Sequence, residues 1–256
     1  MEEAAVHSEH ETSVWPLVIG ISVLLTALAI LAYFPWQMPT LGIILAGLML
    51  AALAIGVTGW AKEFFTHGVE EGLGPIAVAA FIVSEVMIFG TVFAVFWVAK
   101  FENFSSWESF IPGGLDATFA IYLTLILWAS SITIIFSEKA FANGNRNGAL
   151  IWLIATFALG TLFVVLHMME WGHLIHEGFT PDVNIFATAF YGLTGVHTSH
   201  VIVGLGIHLV LLYVVFSGLM TKERMTLYKG AALYWHFVDI MWLGVASNAY
   251  LIGGSF

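Results

Sequence analysis

A chain of 256 residues that is 60% hydrophobic and only 9% charged lacks the composition of a water-soluble domain, where about 25% of residues are charged; its solvent must be lipid. The formal charge of −10 argues against a nucleic-acid partner. The absence of cysteine excludes disulfides, zinc–thiolate sites, iron–sulfur clusters and thiol nucleophiles.

In hydrocarbon only helices and closed barrels satisfy the backbone, and the period-two alternation of barrel strands is absent. Residues 1–13, MEEAAVHSEHETS, are acidic and carry no Lys or Arg. That pattern fits neither a secretory signal nor a mitochondrial presequence and reads as a solvated tail. Residues 14–256 then form one membrane domain. Each span needs about 20 apolar residues. Val14–Ala61 holds no charged residue and is split by the two prolines of YFPWQMP (33–39), which break helices. Span one is predicted over 15–34 and span two over 40–60. Span three covers 76–99 and is opened by Pro75. FENFSSWESFIPGG (101–114) is a loop whose Trp107 suits the membrane interface. Span four is predicted over 116–137, NGNRNG (143–148) is a turn, and span five covers 149–170. Span six lies within 184–218 and must tilt or begin in the interface; span seven covers 230–252.

Seven spans put the termini on opposite sides. Lys62, Lys139, Arg146, Lys222, Arg224 and Lys229 then share the side of the N-terminus, and only Lys100 falls on the other. The positive-inside rule therefore predicts the N-terminus inside and the C-terminus outside.

Ionisable residues at membrane depth are expensive and face protein or water. Glu85 lies near the middle of span three, roughly 14 Å from its start at about 1.5 Å per residue. It is either a proton-linked or lipid-linked carboxyl, or a neutral acid hydrogen-bonded between helices. His197 and His200 in TGVHTSHV (194–201) share a face of span six with Gly192, Gly195, Gly204 and Gly206. Small residues let helices approach closely; the two imidazoles suit haem or metal ligation, or interhelical hydrogen bonding with Glu85 as partner. His167, Glu170, His173 and His176 or Glu177 recur every three or four residues. Glu170 and His173 match half of a di-iron pattern, whose second half is missing. In LYWHFVDIMWL (233–243), His236 and Asp239 are three apart, a spacing that a local ion pair or hydrogen bond explains. Phosphate loops, nucleophile elbows and clustered histidine boxes are absent.

Three segments, FIVSEVMIFGTVFAVFW, TGVHTSHVIVG and YWHFVDIMWL, resemble in order and spacing the third, sixth and seventh helices of subunit III of the haem-copper cytochrome c oxidases. GWAKEFFTHG (59–68) and EWGHLIHEGFTPDVNIFATAFY are similar to further connections of that family, so the resemblance covers roughly 59–252. It implies an all-α membrane protein whose first two helices (14–61) splay from the other five (75–253) across a lipid-filled cleft. It also implies an accessory role without a catalytic residue, metal, haem or copper of its own. Haem and copper would reside in subunit I, the main partner, with further copper in subunit II for the cytochrome c type. The chain would bind phospholipid and support proton uptake. Trp60, Glu63 and His67 fall where the family lines its lipid site. Glu85 matches the family's membrane carboxyl, and His197 and His200 its two helix-six histidines. Two departures stand out: Thr198-Ser199 replaces the family's usual Gly-Leu, and EEGLGPI lacks the basic residue that often precedes helix three. Lys62, or the Lys222, Arg224 and Lys229 group, could supply that charge to a lipid headgroup. The expected location is a bacterial inner membrane, or else a mitochondrial one. Other readings are subunit III of a quinol oxidase or an accessory protein of nitric oxide reductase, a di-haem cytochrome using His167 with His197 or His200, and a proton-coupled transporter using Glu85 and Asp239.

Overall fold

The computed structural model describes residues 13–33, 35–66, 74–113, 115–221 and 224–252, with the side chains of 64–66 and 74–77 set aside. Among these residues all regular structure is helical. The long helices are α1 (Trp15–Tyr33), α2 (Pro39–Thr66), α3 (Gly74–Glu102), α4 (Ala117–Ala142), α5 (Arg146–His176), α6 (Ile185–Ser217) and α7 (Met225–Ala246). A 3-10 turn, Trp107–Phe110, follows α3, and π-helical turns over Ser247–Ile252 extend α7. The first six long helices are long and apolar enough to cross a membrane. The expected seventh span is a helix, but not one whose composition alone marks it as a crossing. It carries Tyr228, Trp235, His236, Asp239 and Trp242, and it packs against α3, α4 and α6. Neighbouring protein, more than lipid, is its solvent, so it need not be uniformly apolar.

Side-chain caps fix where α4, α5 and α6 begin. Asp116 accepts a hydrogen bond from the Thr118 amide (2.7 Å), Asn145 from Gly148 (2.9 Å) and Asn184 from Ala187 (2.8 Å), which satisfies first-turn amides. Asn145 thereby starts α5 inside the segment expected to be a turn. At 31 residues, α5 is about 46 Å long, well beyond a hydrocarbon core of about 30 Å.

The chain divides into two compact units, 1–70 and 71–256. In the first, α1 and α2 form a hairpin. The Trp36 and Met38 amides donate to Leu31 and Ala32 at 3.0 and 2.8 Å, and Gln37 takes a φ of 53° to close the turn. Gly42 lies against Tyr33, Gly56 against Ile19 and Gly59 against Trp15, so closely that an added Cβ would come within 2.8 Å of each. Position rises on α2 as it falls on α1, which makes the pair antiparallel.

In the second unit the core gathers on α7. Trp235 is fully buried. A Cβ on Gly160 of α5 or Gly204 of α6 would sit 2.7 Å from its ring, and its indole N–H reaches Ser130 of α4 at 2.9 Å. His208 of α6 packs edge-on at 4.6 Å between ring centres. Trp107, expected at the interface, is instead buried edge-on between Phe96 and Phe186, with centroids 5.6 and 5.3 Å away; the 3-10 turn folds it inward. At the end of α6, Gly218 adopts φ 79°, and the Arg146 guanidinium donates to the carbonyls of Val215, at 2.8 Å, and Phe216. A cation there also complements the negative end of the helix dipole.

Candidate functional site

Glu85 of α3 and His200 of α6 meet, with Oε2 and Nε2 2.7 Å apart and both side chains largely buried. His200 Nδ1 lies 2.7 Å from the Val196 carbonyl. A carbonyl has no hydrogen to give, so Nδ1 is the donor there. Nε2 then either donates a proton to the carboxylate or accepts one from the carboxyl. In both cases one proton lies on the line between the two residues. Phe89 covers the imidazole at 4.8 Å, and Tyr234 of α7 donates to the His200 carbonyl at 3.2 Å. The expected contact between Glu85 and the histidine face thus involves His200.

His197 does not share it. Three residues of helix leave the two histidines about 60° apart around the axis, and His197 turns toward α5 and α7. It is fully buried, and among the described residues neither ring nitrogen has a hydrogen-bond partner. Its ring lies 4.9 Å from Trp242, 5.8 Å from Phe163 and 6.3 Å from Phe89. His167 of α5 is also buried and packs on Phe163 and Trp242 at 5.9 and 5.7 Å. Its Nδ1 is 3.3 Å from Glu170 Oε2 without forming a hydrogen bond; Glu170 accepts instead from the Tyr250 hydroxyl. His173 and Glu177, 3.3 Å apart, are exposed. Among the described residues, no three His, Asp or Glu side chains gather as metal ligands.

His236 and Asp239 are not each other's partners, contrary to the expectation from their spacing. His236 turns to Ser131 of α4, with Nδ1 3.3 Å from its hydroxyl, whereas Asp239 is buried and its Oδ1 has no hydrogen-bond partner among the described residues. Ser131 belongs to a row of hydroxyls that spacing on a single helix does not reveal. Tyr228 bonds Ser137, Trp235 donates to Ser130 at 2.9 Å, and Trp242 donates to Thr124 at 2.9 Å. The α7 positions are seven apart and run against the α4 positions, as in an antiparallel heptad seam. Each of these α4 hydroxyls donates to a carbonyl: Ser137 to Ala149, Ser130 to Leu127 and Thr124 to Ala120. All three therefore stand free to accept from α7. The recurrence of Tyr228, Trp235 and Trp242 at sevens was the available signal in the sequence.

A family model described as cytochrome c oxidase subunit III matches residues 7–253. The chain belongs to the cytochrome c oxidase subunit III family. It is 31% identical to cytochrome c oxidase subunit 3 of Pyricularia grisea, over 94% of this chain and 93% of that one. It is 30% identical to a probable cytochrome c oxidase subunit 3 of Nocardia farcinica, over 78% and 98%, and 32% identical to the cytochrome bo(3) ubiquinol oxidase subunit 3 of Pseudomonas putida, over 68% and 83%. Subunit III of the haem-copper oxidases, as a family, thus includes members of both cytochrome c and quinol oxidases, and this multi-pass membrane chain is one of them.

The remaining candidates of this subunit III chain are placed as follows. Trp60 on α2 is half exposed. Glu63, one turn on, accepts a hydrogen bond from the Ser13 hydroxyl at 3.1 Å. Arg224 opens α7 and donates to the Leu219 carbonyl at 3.2 Å. His67 and Lys222 lie outside the described residues.

Proposed function

We propose that this chain is the non-redox accessory subunit of a proton-moving terminal oxidase that reduces O2 to water. It packs on subunit I, with subunit II also in the complex, and redox chemistry stays with those partners. The observation that carries this reading is the family match over residues 7–253. It is supported by the nature of the interior polar groups. Glu85 and His200 spend their polar atoms on each other and on a backbone carbonyl, and His236 bonds Ser131 of α4. These are groups that join helices. One proton held between Glu85 and His200 is also compatible with a supporting role in proton uptake.

In this reading α7 is the seventh span, and the six-to-one split of Lys and Arg places the N-terminus inside. Phospholipid would meet Trp60, Glu63 and His67 on the first unit and Lys222 and Arg224 on the second. Trp suits the interface, and cations there attract anionic headgroups. A cytochrome c donor is favoured modestly, because the relative matched over 94% of the chain is a cytochrome c oxidase subunit and the bo(3) relative is matched over 68%.

Affinity purification of the chain from its own membrane in mild detergent tests the proposal. The expected result is an oxidase complex whose haem Soret band stays with the remaining subunits when this one is separated, leaving the isolated chain colourless. A coloured, iron-containing isolated chain would instead establish the di-haem reading, and proton-coupled transport by the chain alone would establish a transporter.

A further inference from the structure

We infer that the interior between α5 and α6 is a binding site for an ordered water molecule that bridges His167 and His197. Both imidazoles are buried, and among the described residues none of their four ring nitrogens has a hydrogen-bond partner. Whatever its protonation state, an imidazole has at least one N–H to donate, and buried polar groups are paired with protein or ordered water in the great majority of cases. The two rings share their walls: Phe163 lies 5.9 Å from one and 5.8 Å from the other, and Trp242 lies 5.7 and 4.9 Å away. Both imidazoles thus pack against the same two rings. Trp171 packs on His167 at 5.5 Å, and its indole N–H is likewise buried without a partner.

The neighbouring side chains donate elsewhere. Thr194 and Thr198 donate to Phe190 and Thr194 carbonyls, and Trp242 donates to Thr124. His200 is bound to Val196 and Glu85. An apolar ligand would leave every one of the unpaired nitrogens unsatisfied, and a metal would find no third ligand among the described residues. Water both donates and accepts, and buried waters typically make about three hydrogen bonds. With a water in place, the bridge from His197 through the water to His167 ends 3.3 Å from the Glu170 carboxylate, which the Tyr250 hydroxyl bonds. This site is separate from the Glu85–His200 pair and does not depend on the proposed function.

The test is a cryo-electron microscopy map of the intact complex containing this chain, at a resolution that shows ordered waters. Density within hydrogen-bond distance of one nitrogen from each ring is the expected result. Dry rings resting N–H on the faces of Phe163 or Trp242, a direct His167–His197 bond, or metal density would overturn the inference. Infrared spectra of the same complex provide a second arm. One O–H stretching band should shift on exchange into 18O-labelled water. It should persist in His167→Gln, which keeps a donor and an acceptor, and vanish in His197→Phe. A band unchanged in His197→Phe would likewise overturn it.

Discussion

The α4–α7 seam and the α3–α6 contact join helices within the same unit by opposite means. The first uses a row of neutral hydroxyls, each donating to a carbonyl and accepting from an indole or phenol. The second uses one carboxyl and one imidazole sharing a proton at 2.7 Å. Neutral pairs are individually weak in a membrane, about 0.6 kcal/mol on average, and such a seam gains its strength from packing. A largely buried titratable pair is hard to break from one side, because the survivor is left uncompensated.

Mutations can separate the two modes. Trp235→Ala should have the largest effect, about 4 kcal/mol, from the cavity it opens among Ser130, Gly160 and Gly204. Retention of the subunit in the complex through a detergent heat ramp measures it. Glu85→Leu should cost about 3 kcal/mol by stranding His200. Adding His200→Leu should recover most of that loss, and a double variant as weak as the single would refute the shared-proton pair. Gly204→Val should cost about 2 kcal/mol by forcing the Trp235 ring aside, visible in the near-ultraviolet circular dichroism of its tryptophans. Ser130→Ala should cost only about 0.6 kcal/mol. A larger loss would show that the seam is held more by its hydrogen bonds than by packing.

The smallest effect concerns the loop between α5 and α6. The Thr180 hydroxyl donates to the exposed Asp182 carboxylate and lowers its pKa below the ordinary 3.8. Because the folded-state pKa is depressed, the stabilisation is fully present above pH 3.8 and fades as pH falls below it through the lowered value. Hydrogen-exchange protection of the Thr180, Asp182 and Val183 amides should fall only under those acid conditions, and Thr180→Val should abolish the difference.

Helix number, order and approximate position were legible because lipid demands long apolar runs. The Glu85–His200 pairing was legible because a carboxyl at that depth requires a partner. The partner of His236 was not. Spacing of three reports neighbours on one helix, whereas His236 answers to α4, whose Ser131 looks ordinary in the sequence. His197 was grouped with His200 for the same reason, and the 60° between them sent it to different neighbours. Trp107 was misplaced because tryptophan serves both interfaces and cores, and only the 3-10 turn that carries it decides which. The low hydropathy of α7 followed from burial by other helices, a property of the assembled bundle.

Trp235 touches α4, α5 and α6 at once, yet it belongs to the last long helix in the chain. During synthesis the three earlier helices must therefore wait, with Gly160 and Gly204 facing an unfilled socket, until α7 arrives. A nascent chain stalled before residue 235 would expose a loosened trio of helices to membrane proteases. Completion of this one side chain's docking would be the moment at which the subunit becomes resistant to surveillance and fit to meet its partners.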